Sequence, residues 1–220
     1  MMVLSNKRNI KFSLILFFLN HLFLIGQNSN EALKLLNSIS AKVMSLDNLN
    51  FKFSYVLENS TEGIRQETSG EASLSKNLYR ISFLGVVQIF DGSKIYTIIP
   101  ENEEVNIEHP DDIESSNINV SNIFEFYKNG YDIQMDIRQK VNNELVQYIK
   151  LTPLGNISDL EYILIGLKTN KLEIYKIIEI GVEKTQTTLT ITNQMENKQL
   201  PNNFFSFNSD EYSDYYINEN

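Results

Sequence analysis

The side chains with the most obvious chemical potential in this 220-residue sequence are carboxylates grouped between positions 101 and 112. Such oxygens can bind Ca²⁺, or work as an acid–base pair when two are held close together. Their spacing does not match an EF-hand loop. Two other interpretations stay open, a solvated loop and a docking surface for a basic partner. The group comprises Glu101, Glu103, Glu104, Glu108, Asp111 and Asp112.

Nucleophilic catalysis has little support in the sequence. His109 is the only histidine beyond the N-terminal segment, and it stands in a Pro/Asp-rich stretch with no nucleophile motif nearby. The chain has no cysteine, which excludes thiolate chemistry and disulfides. Metalloprotease, P-loop and dinucleotide-binding motifs do not occur. We therefore predict a protein that is not an enzyme and has no cofactor or metal. A secreted hydrolase or metal-dependent enzyme is the weaker alternative.

Residues 1–26 have the pattern of a secretory signal peptide. Three basic residues precede an almost wholly apolar run over residues 12–25, and Gly26 leads into a polar region. The run is short for a membrane span, which needs about 20 residues, so we expect cleavage rather than a retained anchor. The prediction is an exported protein in which residues 27–220 form one domain.

The charge of the chain restricts its partners. Residues 1–26 contain three basic and no acidic residues, so their removal changes the net charge from −9 to −12. Nucleic-acid binding is disfavoured because phosphates require clusters of Lys and Arg. Steady residence on an anionic membrane surface is disfavoured for the same reason.

Hydrophobic periodicity predicts a mainly β, α+β protein. Apolar residues at helical spacing predict an amphipathic helix over residues 28–47 and a second, short helix over residues 121–130. About ten short alternating segments separated by turns predict an antiparallel sheet. Asp91-Gly92 between apolar strands predicts a hairpin with a type I′ turn.

Three less regular segments complete this description. We expect a loop or exposed strand end over residues 58–69 and a last short strand around residues 204–207. The acidic tail from residue 209 to residue 220 is predicted to be frayed.

Short motifs run through nearly the whole of residues 27–220. They are Phe51-x-Phe53-x-Tyr55, Gly70-x-x-x-Leu74 with Asn77-Leu-Tyr-Arg80, Gln88-Ile-Phe-Asp91-Gly92-x-x-x-Tyr96, the acidic run 100–105, Ile149-x-Leu-Thr-Pro153 and Phe205-x-Phe207. Together with the order of the elements, they resemble the LolA-like family of lipoprotein carriers, in the form found in Bacteroidota-type bacteria. Ser75-Lys76 departs from the family pattern, which has a basic-Pro run there with an Arg tied to cavity closing. Lys76 is the candidate counterpart of that Arg.

The resemblance implies an open antiparallel half-barrel sheet with helices covering its concave apolar face. It implies a monomeric periplasmic chaperone that holds the acyl chains of lipoproteins in an apolar cavity. The implied partners are acylated lipoproteins, an inner-membrane ABC transporter and an outer-membrane receptor, and nucleic acid is not among them. A lipid or lipoprotein sensor of the same fold is the alternative.

The candidate acyl-chain contacts are apolar residues of the predicted strands and helices. From the strands they are Phe51, Phe53, Tyr55, Tyr79, Ile81, Phe83, Val87, Ile89 and Tyr96, and from the helices Leu36, Ile39, Phe124 and Phe126. Each could equally be a core residue, because both faces of some strands are apolar.

Overall fold

The computed structural model describes residues 28–110, 123–155 and 159–219. The predicted signal peptide, and Asp111 and Asp112 of the acidic group, lie outside these residues. The described part contains one α-helix, α1 (residues 28–44), and twelve β-strands, and none of its helices is long and apolar enough to cross a bilayer. The strands are β1 (Leu49–Asn59), β2 (Ile64–Ser75), β3 (Leu78–Phe83), β4 (Val86–Phe90), β5 (Ile95–Ile99), β6 (Glu104–Glu108), β7 (Tyr131–Val141), β8 (Glu144–Pro153), β9 (Leu160–Lys168), β10 (Glu173–Gly181), β11 (Thr185–Glu196) and β12 (Tyr216–Glu219).

All twelve strands belong to one sheet, in the order β12-β6-β5-β4-β3-β2-β1-β11-β10-β9-β8-β7. Neighbours are antiparallel except for β12, which pairs in parallel with β6. β12 and β7 are the two edges, so the sheet is open. An open antiparallel sheet with a helix on one side confirms the predicted fold class.

Helix α1 packs on the sheet through one apolar stripe. Ala32, Leu36 and Ile39 are buried, and their spacing of four and three residues places them on the same side of the helix. Each fully buried Leu or Ile contributes about 1.5–3 kcal/mol. The stripe joins a core that includes Phe51 and Leu151 of the sheet. We call this side of the sheet the helix face.

The apolar side of the sheet changes between β3 and β4. A two-residue turn joins these strands at Leu84 and Gly85, both with positive φ (53° and 78°). Residues directly opposite in an antiparallel pair share a face. Across this turn Ile89 pairs with Arg80, whereas Tyr79 belongs to the helix-face core. Ile89 therefore points away from α1, and so do Ile98, Val105 and Ile107, which lie on the same side through successive pairs.

These residues form a second core on the opposite face. Its buried members are Ile89, Ile98, Val105 and Ile107. Phe207, Tyr212 and Tyr215 of the C-terminal segment pack over them. We call this group the opposite-face core.

The C-terminal predictions are wrong in two respects. Residues 202–205 form a turn rather than a strand. The segment expected to be frayed forms a 3₁₀ helix, Ser209–Tyr212, and then β12, because its aromatic side chains have an apolar surface to cover.

Of the two alternatives for residues 58–69, the exposed strand end is confirmed, since only residues 60–63 separate β1 from β2. Two further expectations are corrected. The α-helix expected over residues 121–130 is, in its described part, a turn followed by a 3₁₀ helix, Phe126–Lys128. The Asp91-Gly92 hairpin exists, but four residues connect its strands, and among them only Gly92 has positive φ, so the turn is not type I′.

Candidate functional site

The structure brings ten of the thirteen predicted contact residues together on the helix face. Five are buried in its core: Leu36, Ile39, Phe51, Phe53 and Tyr79. Five are half-buried at the border of that core: Tyr55, Ile81, Phe83, Phe124 and Phe126. The second group keeps accessible surface, so these residues are the better placed to touch a ligand.

The remaining three predicted contacts lie on the other side of the sheet. Val87, Ile89 and Tyr96 belong to the opposite-face core and cannot share a cavity with Phe51. The structure therefore does not bring them together with the other ten, because the apolar side reverses across the two-residue turn at Leu84 and Gly85.

An aromatic cluster forms one wall of the helix face. The ring centroid of Phe53 lies 6.2 Å from that of Phe51 and 5.5 Å from that of Phe83, and Tyr55 meets Phe83 edge-on at 5.2 Å. Gly70 makes this arrangement possible, since a Cβ there would lie 2.4 Å from the Phe53 ring. The rings continue from the core to the half-exposed Tyr55 and Phe83.

A second aromatic group stands beside α1. The Phe126 ring meets Tyr127 and Tyr131 edge-on, with centroids 6.3 and 5.9 Å apart. The Tyr127 hydroxyl donates a hydrogen bond to Asn37 Oδ1 of α1 at 2.9 Å. Tyr131 and Ile133 were not among the predicted contacts, although their alternation along β7 was a usable signal.

Few polar contacts attach α1 to the sheet. Lys42 Nζ lies 2.6 Å from Glu196 Oε1 and donates to the Lys171 carbonyl oxygen at 2.8 Å. Partly exposed ion pairs of this kind contribute about 0–1 kcal/mol. The helix is therefore held mainly by its apolar stripe.

A small cavity of about 80 Å³ opens at the C-terminal end of α1. Its walls include Met44 of the helix, Leu74, Phe124 and the exposed Lys76 in the turn between β2 and β3. Lys76 adopts a left-handed conformation there, with φ of 54°. The predicted counterpart of the closing Arg thus lies at an edge of the helix-face core.

A larger pocket of about 330 Å³ lies near the other end of β9–β11. Its lining includes Glu179, which pairs across the sheet with Ile163 and Thr187 and so lies on the helix face. Burial raises the pKa of Glu179. Glu179 was missed from the sequence, although it interrupts the apolar positions of β10 two residues after Ile177.

Large apolar side chains are exposed at both ends of the sheet. At the end nearer Glu179 they are Ile64, Leu84, Leu154 and Val182, with exposures of 46–68%. At the other end Met44 and Met195 are exposed, although the hairpin turns there carry Asn77, Asp91, Asn142 and Asn170.

The acidic group stays without an assigned role. Its described members lie in and around the connection between β5 and β6, which contains a 3₁₀ helix, Pro100–Asn102. Within the described ranges, no three His, Asp or Glu side chains converge so that they could hold a metal ion.

No known family model matches the sequence, and no curated protein does. Among solved structures, an uncharacterized conserved protein from Thermus thermophilus superimposes with a TM-score of 0.61 at 8% identity. The match covers 86% of this chain and 99% of that chain. It establishes a shared fold.

Other solved structures match more loosely. A putative outer membrane lipoprotein-sorting protein domain from Vibrio parahaemolyticus has a TM-score of 0.45 at 11% identity, over 81% of this chain and 97% of that one. A LolA superfamily protein from Nitrosomonas europaea has a TM-score of 0.41 at 10% identity, over 80% and 97%. The Bacteroidota type of the LolA-like resemblance stays a prediction. TM-scores below 0.5 are too low to bear on function.

Proposed function

We propose that this protein is a periplasmic carrier that binds the acyl chains of lipoproteins between α1 and the helix face of its sheet. The observation that supports the proposal most directly is a large apolar core with half-exposed aromatic rings, covered by a helix with few polar attachments. Such a surface can exchange contacts with α1 for contacts with an acyl chain without opening the sheet.

Transfer energetics explain why a carrier needs a covered site. Burial of an acyl chain is worth about 0.8 kcal/mol per CH₂. A chain of roughly 15 methylenes therefore gains on the order of 12 kcal/mol by leaving water. Cargo of this kind cannot cross water unaided, and each handover must take place between touching sites of similar affinity.

The exposed apolar turns at the Glu179 end are the proposed contact surface for handover. We place there the exchange with an inner-membrane ABC transporter and an outer-membrane receptor. The acidic turn Pro100–Asn102 lies at the same end and would favour a basic partner surface. Residues 27–220 act as a monomeric, non-enzymatic domain after cleavage of the signal peptide.

Native mass spectrometry and a release assay test the proposal together. Protein purified from the periplasm should carry lipid or acylated protein, and the purified chain should release lipoproteins from spheroplasts. Absence of bound lipid together with no release would contradict the carrier function.

A further inference from the structure

Glu179 is a carboxylate on an apolar surface without a counter-charge. It lies in β10 opposite Ile163 and Thr187. Among the described residues, none forms a hydrogen bond or ion pair with it, and burial raises its pKa. Glu179 is half-buried, and a carboxylate partly removed from water costs stability unless something compensates its charge.

The surroundings of Glu179 do not supply that compensation. The described residues that line its pocket include no Lys or Arg. The pocket's other ionisable groups are the carboxylates of Asp159 and Glu183. On β7, burial and then the negative charge of Glu179 raise the pKa of the Tyr131 phenol. Leu160 and Val182 give the pocket an apolar side. A metal ion needs several converging oxygen ligands, and the described carboxylates do not provide such a group.

We infer that Glu179 binds the ammonium group of an amphiphile whose acyl chain lies on the helix face. This inference rests on the proposed function and names the class of head group that the same site selects. An ammonium donates three hydrogen bonds and carries the missing charge. Charge-assisted bonds are roughly twice as strong as neutral ones, and the pocket of about 330 Å³ has room for a small head group.

Three amphiphiles with the same chain test the selection: hexadecylamine, hexadecanol and hexadecanoate. Displacement of a fluorescent acyl probe from the full, delipidated protein would give each affinity. We expect hexadecylamine to bind about tenfold more tightly than hexadecanol, the size of one charge-assisted hydrogen bond. Hexadecanoate should bind most weakly, because its charge repels Glu179.

Two variants should remove the preference for the amine. Glu179→Gln keeps the shape and removes the charge. Thr187→Lys places an ammonium directly opposite Glu179 and so occupies the site from within the sheet. Glu71→Gln is the matched control, because Glu71 is exposed and pairs with Lys52 on the opposite face. Circular dichroism and retained hexadecanol binding would show that each variant is folded.

The outcomes are distinct. Equal affinities for amine and alcohol in the wild-type protein, or a preference that survives in both variants, would overturn the inference and leave acyl binding intact. If no hexadecyl compound binds, the proposed function fails and the inference fails with it.

Two further probes identify the source of the ammonium. Phosphatidylethanolamine should bind more tightly than phosphatidylglycerol if a lipid head group is recognised. A palmitoylated peptide with one lysine should bind more tightly than its lysine-acetylated form if an acylated polypeptide is recognised. Either preference, if lost in Glu179→Gln, supports the inference. Absence of both would overturn it.

Discussion

The two cores of this sheet are covered in different ways. On the helix face, α1 lies over a core whose border is half-exposed, and its polar attachments centre on Lys42 and Asn37. On the opposite face, Phe207 stacks between Tyr96 and Tyr212, with centroids 4.7 and 5.4 Å away and ring planes within 16° of parallel. The first cover rests on side-chain contacts, whereas the second continues into a strand of the sheet.

Backbone pairing accounts for this difference. The segment that covers the opposite-face core continues into β12, which pairs along its length with β6. The Tyr216 N–H donates to the Glu103 carbonyl oxygen at 2.8 Å, and Lys94 forms an ion pair with Glu219. Lifting this cover would break sheet hydrogen bonds, whereas lifting α1 would break mainly side-chain contacts. A site that opens when its cover lifts therefore fits the surface under α1 better than the surface under the C-terminal segment.

The largest expected effect comes from locking each cover in turn. The chain has no cysteine, so Lys42→Cys with Glu196→Cys can be joined selectively by a bifunctional maleimide. This link fixes α1 to β11, and we expect acyl-probe uptake to be abolished because the helix cannot move. Fluorescence titration before and after cross-linking measures it.

The matched lock joins Lys94→Cys to Glu219→Cys and fixes β12 instead. We expect this cross-linked protein to keep its acyl-probe uptake, because uptake does not require β12 to move. Equal loss of uptake in both locked proteins would contradict the assignment of α1 as the movable cover. The single variant Lys42→Cys, treated with the same reagent, controls for modification alone.

Removing one ring from each core should separate stability from binding. Phe207→Ala should lower the free energy of unfolding by about 2–3 kcal/mol, near the lower end for large aromatic truncations because Phe207 is partly exposed. Its acyl affinity should be unchanged. Urea denaturation and probe titration measure the two quantities.

Phe83→Ala is the counterpart on the helix face. We expect a stability loss of about 1–2 kcal/mol, since the ring is half-buried, together with roughly tenfold weaker acyl binding. If Phe207→Ala weakened acyl binding more than Phe83→Ala did, the site would lie on the face opposite α1, and the assignment to the helix face would be contradicted.

The sequence predicts the helix face much better than the opposite face. Strict alternation in β1 and β3 placed Phe51, Phe53 and Tyr79 correctly together. Alternation within each strand does not predict the reversal at β4, which depends on the two-residue turn at Leu84 and Gly85. With such a turn, odd-numbered residues of one strand pair with even-numbered residues of the next.

Other features could not be predicted from local pattern. β12 pairs in parallel with β6, more than 100 positions earlier in the chain, and four residues carry little periodicity. Phe205 and Phe207 alternate as in a strand, yet the Phe207 ring packs on an apolar surface that is built by distant strands. Long-range packing of this kind overrides local propensity.

A smaller effect is expected at the hairpin that carries Tyr96. Partial burial alone would raise the pKa of Asp91, but hydrogen bonds from the Lys94 and Ser93 N–H groups and from the Tyr96 hydroxyl outweigh it and lower the pKa. A lowered folded-state pKa gives stability that is present above the unfolded-state pKa of about 3.9 and is lost as the pH falls through the folded-state value.

Asp91→Asn should therefore cost about 1 kcal/mol at pH 7. The difference from the wild-type protein should shrink below about pH 4. Thermal unfolding at a series of pH values measures it. Asp214→Asn, at an exposed position near the C-terminus, is the control for the substitution itself. A constant penalty at every pH would mean that the amide fails to fit the turn for reasons other than charge.

The smallest expected effect tests the helix face through Glu179. Because burial raises its folded-state pKa, Glu179 favours the folded state below its unfolded-state pKa, and that contribution is lost as the pH rises through the folded-state value. Glu179→Gln should therefore be more stable than the wild-type protein at pH 7.5, by roughly 0.5 kcal/mol or less, and equal to it near pH 4. Saturating hexadecylamine should reverse the order at pH 7.5, because the amine binds more tightly to the protein that keeps the carboxylate and so stabilises it more. A reversed order would show that the Glu179 carboxylate lowers stability in the empty site and raises it in the filled site, as expected if a ligand supplies the missing charge. An unchanged order would mean that Glu179 merely reaches solvent at the end of β10.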